Sequence, residues 1–170
     1  MLDPKGEVRV NAITSRGKKQ MRSVFCMAAL LSSAGAASAT GGIWCNVDDA
    51  AVKFEVAAGV TTGMGGPTFN FRGNLEIKSR PVSDGFRKTV FEDSNLTQYW
   101  LDDKELRLLV YREHEQANSY GSVELTILTK ASDEGVYDGR YTLAVYDVVA
   151  DVAKDGKPVE TTGKVSCGAE

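Results

Sequence analysis

The sequence predicts an all-β domain: an antiparallel two-sheet sandwich or a small sandwich-like barrel of about seven or eight strands. Three observations carry that expectation. Apolar residues recur at every second position through residues 40–170, with no helical spacing. Short breaks rich in Gly, Asp and Pro separate the alternating runs. Two cysteines, Cys45 and Cys167, stand at opposite ends of that region. One apolar and one polar face per strand is the pattern of antiparallel sheets; strands of a parallel core read as continuous apolar runs.

Taken in order, "AVKFEVAA" turns Val52, Phe54 and Val56 one way and Lys53 and Glu55 the other. In "TFNFRGNLEIKS", Phe69, Phe71, Leu75 and Ile77 share a face, with Asn70, Arg72, Asn74, Glu76 and Lys78 opposite. "GFRKTVFEDSN", residues 85–95, is a candidate for a short helix. "YWLDDKELRLLVY" reads as a tight hairpin about Asp103-Lys104. That register sets Leu101 against Leu106 and Tyr99 against Leu108 on one face. On the other it sets Trp100 against Arg107, near enough for a cation–π contact. Val123, Leu125 and Ile127 alternate with Ser122, Glu124 and Thr126; Tyr141, Leu143 and Val145 alternate with Thr142, Ala144 and Tyr146. Turns are expected at Asp84-Gly85, "SDEG" (132–135), Asp138-Gly139 and "KDGKP" (154–158).

Ahead of the domain, Met21 opens a second pattern. Arg22 is followed by an apolar run from Val24 to Leu31 and by small residues ending Ala37-Ser38-Ala39. This is the layout of a secretory signal with an A-x-A cleavage site. The run is shorter than the ~20 apolar residues a membrane-crossing helix needs. Residues 1–39 are therefore read as an N-terminal extension plus cleavable signal, with Met21 as the candidate true start, and residues 40–170 as a single domain with no transmembrane anchor after processing. Cys26 leaves with the signal. The chain holds 20 basic and 23 acidic residues; removing six bases and two acids with residues 1–39 leaves 14 and 21, a net charge of −7. Such a domain is repelled by nucleic acid, and no basic stripe with interleaved aromatics counters that. The destination is periplasmic or secreted, where Cys45 and Cys167 are expected to form a disulfide between the first and last strands. A catalytic dithiol pair would sit close in sequence, as in C-x-x-C.

Chemistry is sparse. The single histidine, His114, lies in the polar run 112–119, which reads as an exposed hairpin end. One histidine excludes multi-histidine zinc sites, and no G-x-S-x-G marks a nucleophile for it. "TTGMGGPTF", residues 61–69, lacks the Lys and the following helix of a phosphate loop; Met64 and Gly65 instead mark an adaptable contact loop. Trp100 and Arg107 join them as candidate binding residues. Asp48 and Asp49 are the candidate metal ligands, for Ca²⁺, with no regular ligand spacing around them. No cofactor is expected.

The segments "TGGIWCNVDDAAVKF", "GMGGPTFNFRGNLEI", "YWLDDKELRLLVYRE" and "GKVSCGAE" resemble small exported proteins of alphaproteobacteria with no assigned function. The resemblance covers residues 40–170. It implies an exported domain with Cys45 and Cys167 paired, and implies no activity. "GGIWC" also contains the G-x-W found near the first strand of lipocalins. The functional expectation is thus a non-enzymatic, exported domain binding a protein or small ligand at the cell envelope. The alternatives are a lipocalin-like carrier of apolar ligands and a hydrolase using carboxylates.

Overall fold

Alternation in the chain is realised as nine strands in one sheet. The computed structural model describes residues 41–61, 68–79, 82–116, 119–148 and 157–170. Residues 1–39, the loop residues Met64 and Gly65, and residues 154–156 of the expected "KDGKP" turn lie outside them. The strands are β1 (Gly41–Asp48), β2 (Val52–Val60), β3 (Thr68–Ile77), β4 (Lys88–Phe91), β5 (Leu96–Leu101), β6 (Glu105–Gln116), β7 (Ser119–Asp133), β8 (Val136–Asp147) and β9 (Val159–Ala169). One helical turn, α1 (Asp84–Arg87), precedes β4, and a 3-10 turn (Asp93–Asn95) separates β4 from β5.

The sheet order is β4-β3-β2-β1-β9-β8-β7-β6-β5, and every pair is antiparallel. Eight reversals lead round the sheet from β4 to β5, so these two run in the same direction. They are the halves of one broken strand: β4 pairs with β3, and β5 crosses to pair with β6. The 3-10 turn bridges the two neighbours at the break. Asp93 Oδ1 accepts from the Phe71 N–H of β3, and Asn95 Nδ2 donates to the Tyr111 carbonyl of β6 at 3.2 Å. The Arg112 guanidinium donates to the Val90 carbonyl across the rest of the gap. The sheet is therefore a nearly closed, barrel-like meander, and the two-sheet arrangement is not needed to bury its apolar face.

Closure at the chain ends is direct. β1 pairs with β9, with Cys45 opposite Cys167 and their sulfurs bonded. Inside, Phe54, Val56, Leu106, Val110, Val123, Leu125, Ile127, Tyr141 and Leu143 are all at most 2 % exposed. A water-sized probe reaches almost none of their surface, so the barrel is filled with side chains where they lie. Phe54 and Tyr141 meet edge to face with centroids 5.3 Å apart, a contact worth ~0.5–1.5 kcal/mol beyond their burial.

At the end where β3 leads into β4, α1 plugs the barrel. Phe86 is 2 % exposed, and a Cβ on Gly121 would come within 2.5 Å of its ring, so only glycine lets the ring sit there. The fully buried Asp147 accepts from the Ser83 N–H at 2.7 Å and anchors the start of the plug.

Three expectations are corrected. The helix expected over residues 85–95 shrinks to α1, because from Lys88 the chain alternates: Thr89 and Phe91 are buried, Lys88 and Val90 exposed. Asp138-Gly139 is not a turn but lies within β8; a Cβ on Gly139 would meet the Leu128 carbonyl oxygen at 2.1 Å, so the glycine serves close strand approach. Residues 112–116 do form the expected hairpin end, with Gln116 opposite Ser119 where β6 gives way to β7. Phe69 faces outward, 37 % exposed, instead of sharing the inner face with Phe71. The β2–β3 register skips between Ala57 and Gly59, and Asn70 adopts φ 53°. One extra residue in a bulge, taken up by a left-handed asparagine, turns the preceding side chain to the other face.

Two outcomes are expected. Replacing Cys45 and Cys167 by serine removes a constraint on a 122-residue separation, and the chain-entropy relation gives a loss of ~5 kcal/mol in urea unfolding; equal unfolding midpoints with and without the bridge would contradict this. Asn70→Gly leaves stability near wild type, while Asn70→Val lowers it by ~1–3 kcal/mol, since a β-branched residue resists positive φ.

Candidate functional site

The outward face of β5–β6–β7 carries a broad groove. Hairpin geometry builds it. Trp100 stands opposite Arg107, which stands opposite Leu128; one row over, Gln98, Leu109 and Thr126 follow. The register of the 99–108 hairpin is the one expected from its sequence: Leu101 faces Leu106 and Tyr99 faces Leu108. Trp100 and Leu128, each 55 % exposed, form the walls, Glu124 closes one side, and the depression encloses about 520 Å³.

No cation–π contact joins Trp100 to Arg107 among the described residues. Arg107 instead pairs along its own strand with Glu105 at 2.6 Å, and the Trp100 Nε1–H donates to Asp102 Oδ2 at 3.2 Å. Asp102 also accepts from the Lys104 and Glu105 N–H groups at 2.8 Å, and these bonds hold its carboxyl below the usual range. The indole is thereby oriented by the turn, and the guanidinium is drawn to the groove's rim. Beside the groove, no strand pairs with the far side of β5 among the described residues. Every second residue there turns its N–H and C=O outward. The strand, LTQYWL, carries no Lys, Pro or acid, the usual means of blunting an edge.

Met64 and Gly65 fall outside the described residues. The strands flanking them, β2 and β3, end and begin at the same barrel end as the Asp102–Lys104 turn, because β1, β6 and β8 start there and β5 and β9 finish there.

The acidic pair after β1 is structural in its bonding. Asp48, exposed, pairs with Lys78 and, at 3.3 Å, with Lys53; these two hold its carboxyl below the usual range. Asp49 Oδ1 accepts from the Ala51 and Val52 N–H groups at 2.8 Å, and Oδ2 accepts from the Tyr141 hydroxyl at 2.6 Å. Burial alone would raise this carboxyl; the bonds from Tyr141, Val52 and Ala51 outweigh it and hold the group low. Burial and the Asp49 carboxylate push the Tyr141 hydroxyl far up. The oxygens considered for Ca²⁺ are thus occupied in fastening the β1–β2 turn to the core. Among the described residues, no group of three His, Cys, Asp or Glu side chains is placed to hold a metal ion.

His114 is not exposed as expected. It lies half-buried under α1, its ring edge to face with Phe86 at 5.3 Å, and its Nε2 is buried with no hydrogen-bond partner among the described residues. A nucleophile activated by Nε2 would have to hydrogen-bond to it, and among the described residues none does. The signal for this placement was the strand parity of β6, which carries inward positions from Leu106 through Val110 to His114.

Two exposed aromatics were missed as surface residues. Trp44, which the sequence reading left without a face, is 40 % exposed, and Phe69 is turned out by the Asn70 bulge. The parity of Ile43 and Cys45 was the available signal for Trp44; Phe69 had none, since the bulge is invisible in alternation. No helix of the described residues is long and apolar enough to cross a membrane.

Asp49 makes stability acid-sensitive. Its folded carboxyl lies below its unfolded value, so its contribution is complete above the ordinary carboxylate range and is lost as pH falls through the lowered value. Tyr141→Phe removes a lowering bond, and its acid-unfolding midpoint, followed by circular dichroism, is expected at higher pH than wild type. An unchanged midpoint would mean that Asp49 does not couple folding to pH.

Compared with family models, curated proteins and solved structures, the chain matches none of them.

Proposed function

We propose that this protein is an exported domain that acts by binding rather than catalysis, and that it docks a protein partner at the cell envelope along β5 and the Trp100 groove. One observation carries the reading: an apolar groove of about 520 Å³ lies flush with a sheet edge that, among the described residues, has neither a pairing strand nor the usual edge protection. An extended segment can satisfy that edge with its backbone while its side chains meet Trp100 and Gln98.

Export rests on the Met21–Ala39 pattern and on a disulfide placed where β1 and β9 close the sheet, an arrangement suited to an oxidising compartment. The alternatives fare less well. An apolar-ligand carrier needs an empty lumen, whereas the inward residues from Phe54 to Leu143 pack against one another. A carboxylate hydrolase needs two free converging acids, whereas Asp49 is saturated and Asp48 is paired with lysines.

The test is photo-crosslinking in the native host from a reactive residue at Gln98, with the cell fraction and N-terminus of the product read by mass. The expected product is a periplasmic or secreted adduct with a single protein. Trp100→Ala or Leu128→Arg removes it, and the purified partner binds wild type at least tenfold more tightly than either variant. A cytoplasmic chain retaining residues 1–39, or an adduct indifferent to both substitutions, overturns the proposal.

A further inference from the structure

A second depression lies on the outer wall of β1, β2 and β3, at the end where β1 begins, and glycines make it. Two cross-strand rows run through it: Gly168, Trp44, Ala57 and Arg72, then Gly42, Gly59 and Phe69. A Cβ on Gly168 would stand 2.3, 2.4 and 2.8 Å from Cζ2, Cε2 and Nε1 of Trp44; one on Gly59 would stand 2.4, 2.5 and 2.9 Å from Cζ, Cε2 and Cε1 of Phe69. Each ring therefore packs over its glycine, against the wall, while 40 % of Trp44 and 37 % of Phe69 stay exposed. Between them, among the described residues, the floor is bare: a Cβ on Gly42 would meet only the Ala58 carbonyl oxygen, at 3.6 Å. The trough encloses about 300 Å³, with Asn70, Arg72 and Glu170 at its margins.

We propose that this trough binds a neutral glycan, with linked pyranose rings stacked on Trp44 and Phe69. A pyranose has a face of C–H groups and a rim of hydroxyls. The C–H face suits the electron-rich face of a flat aromatic ring. The hydroxyls suit Asn70, Arg72 and Glu170, which together donate and accept. One cation and one anion at the margin leave no net preference for a charged ligand. The aromatic residues stand on β1 and β3, two strand intervals and one row apart, or about 12 Å, which spans linked sugar rings rather than one. Other occupants lack their requirements here. β1 and β2 are paired on both sides, so no peptide can add to them as a strand. An acyl chain would need enclosure that an outer wall does not provide. This site is separate from β5 and stands whether or not that edge binds a protein.

The two rings also cover glycines, and the experiment must separate that role from ligand binding. Trp44 and Trp100 are the two tryptophans of the chain, so Trp100→Phe leaves Trp44 as the reporter. This variant is titrated with cellohexaose, chitohexaose and maltohexaose, following Trp44 emission. At least one is expected to shift the emission saturably. Chitohexaose alone points to amino-sugar glycans of the cell wall, and cellohexaose or maltohexaose to exported glucans. Gly42→Leu fills the floor without touching either ring and is expected to weaken binding at least tenfold at unchanged melting temperature. If Gly42→Leu lowers the melting temperature, Arg72→Ala decides instead, with the same expected loss. No shift with any of the three sugars at millimolar concentration, or a shift that survives these substitutions, overturns the proposal.

Discussion

Pairing of β1 with β9 is the contact on which the rest of this structure depends. It turns a strip of nine strands into a wall with an inside, and the Cys45–Cys167 bond ties it at directly opposed residues. Without that pairing, Ile43, Val47 and Val165 would lie on exposed edge strands, and the strands' inner faces would have nothing to enclose. The pairing is also the most distant in sequence, so it carries the largest loop-closure cost, and a covalent link offsets it most effectively there.

The second closure is made differently. β4 and β5 share one place in the wall, with the 3-10 turn handing the chain from β3 to β6. Side chains finish what backbone pairing leaves open: Asp93 and Asn95 at the turn, Arg112 toward Val90, and the Phe86 plug over Gly121. Among the described residues the break leaves one edge of β5 without a strand. The edge proposed for partner binding is thus a by-product of how the barrel closes.

Outer-wall chemistry follows from the same geometry. Because the lumen is filled, function has to be sought on the outside, where a strand wall is flat unless side chains are removed or raised. Here both occur. Trp100 and Leu128 rise around shorter Leu109 and Thr126, and Gly42 keeps the floor low between Trp44 and Phe69.

By itself the sequence determined the fold class, the inward faces of β2, β7 and β8, the register of the 99–108 hairpin and the partner of Cys45. Each of these rests on local periodicity, a short turn or a count of two cysteines, none of which needs distant contacts to be read. Tertiary structure alone decided where alternation breaks and which elements are left unpaired. The Asn70 bulge costs one residue and no visible change of pattern, yet it moves Phe69 from core to surface. Gly139 looks like a turn residue until the strand crossing beside it is known. His114 sits in a polar run whose burial comes from α1, an element nearly thirty residues earlier in the chain. The split of β4 from β5, and with it the open edge beside Trp100, is a property of sheet order, which no local stretch encodes.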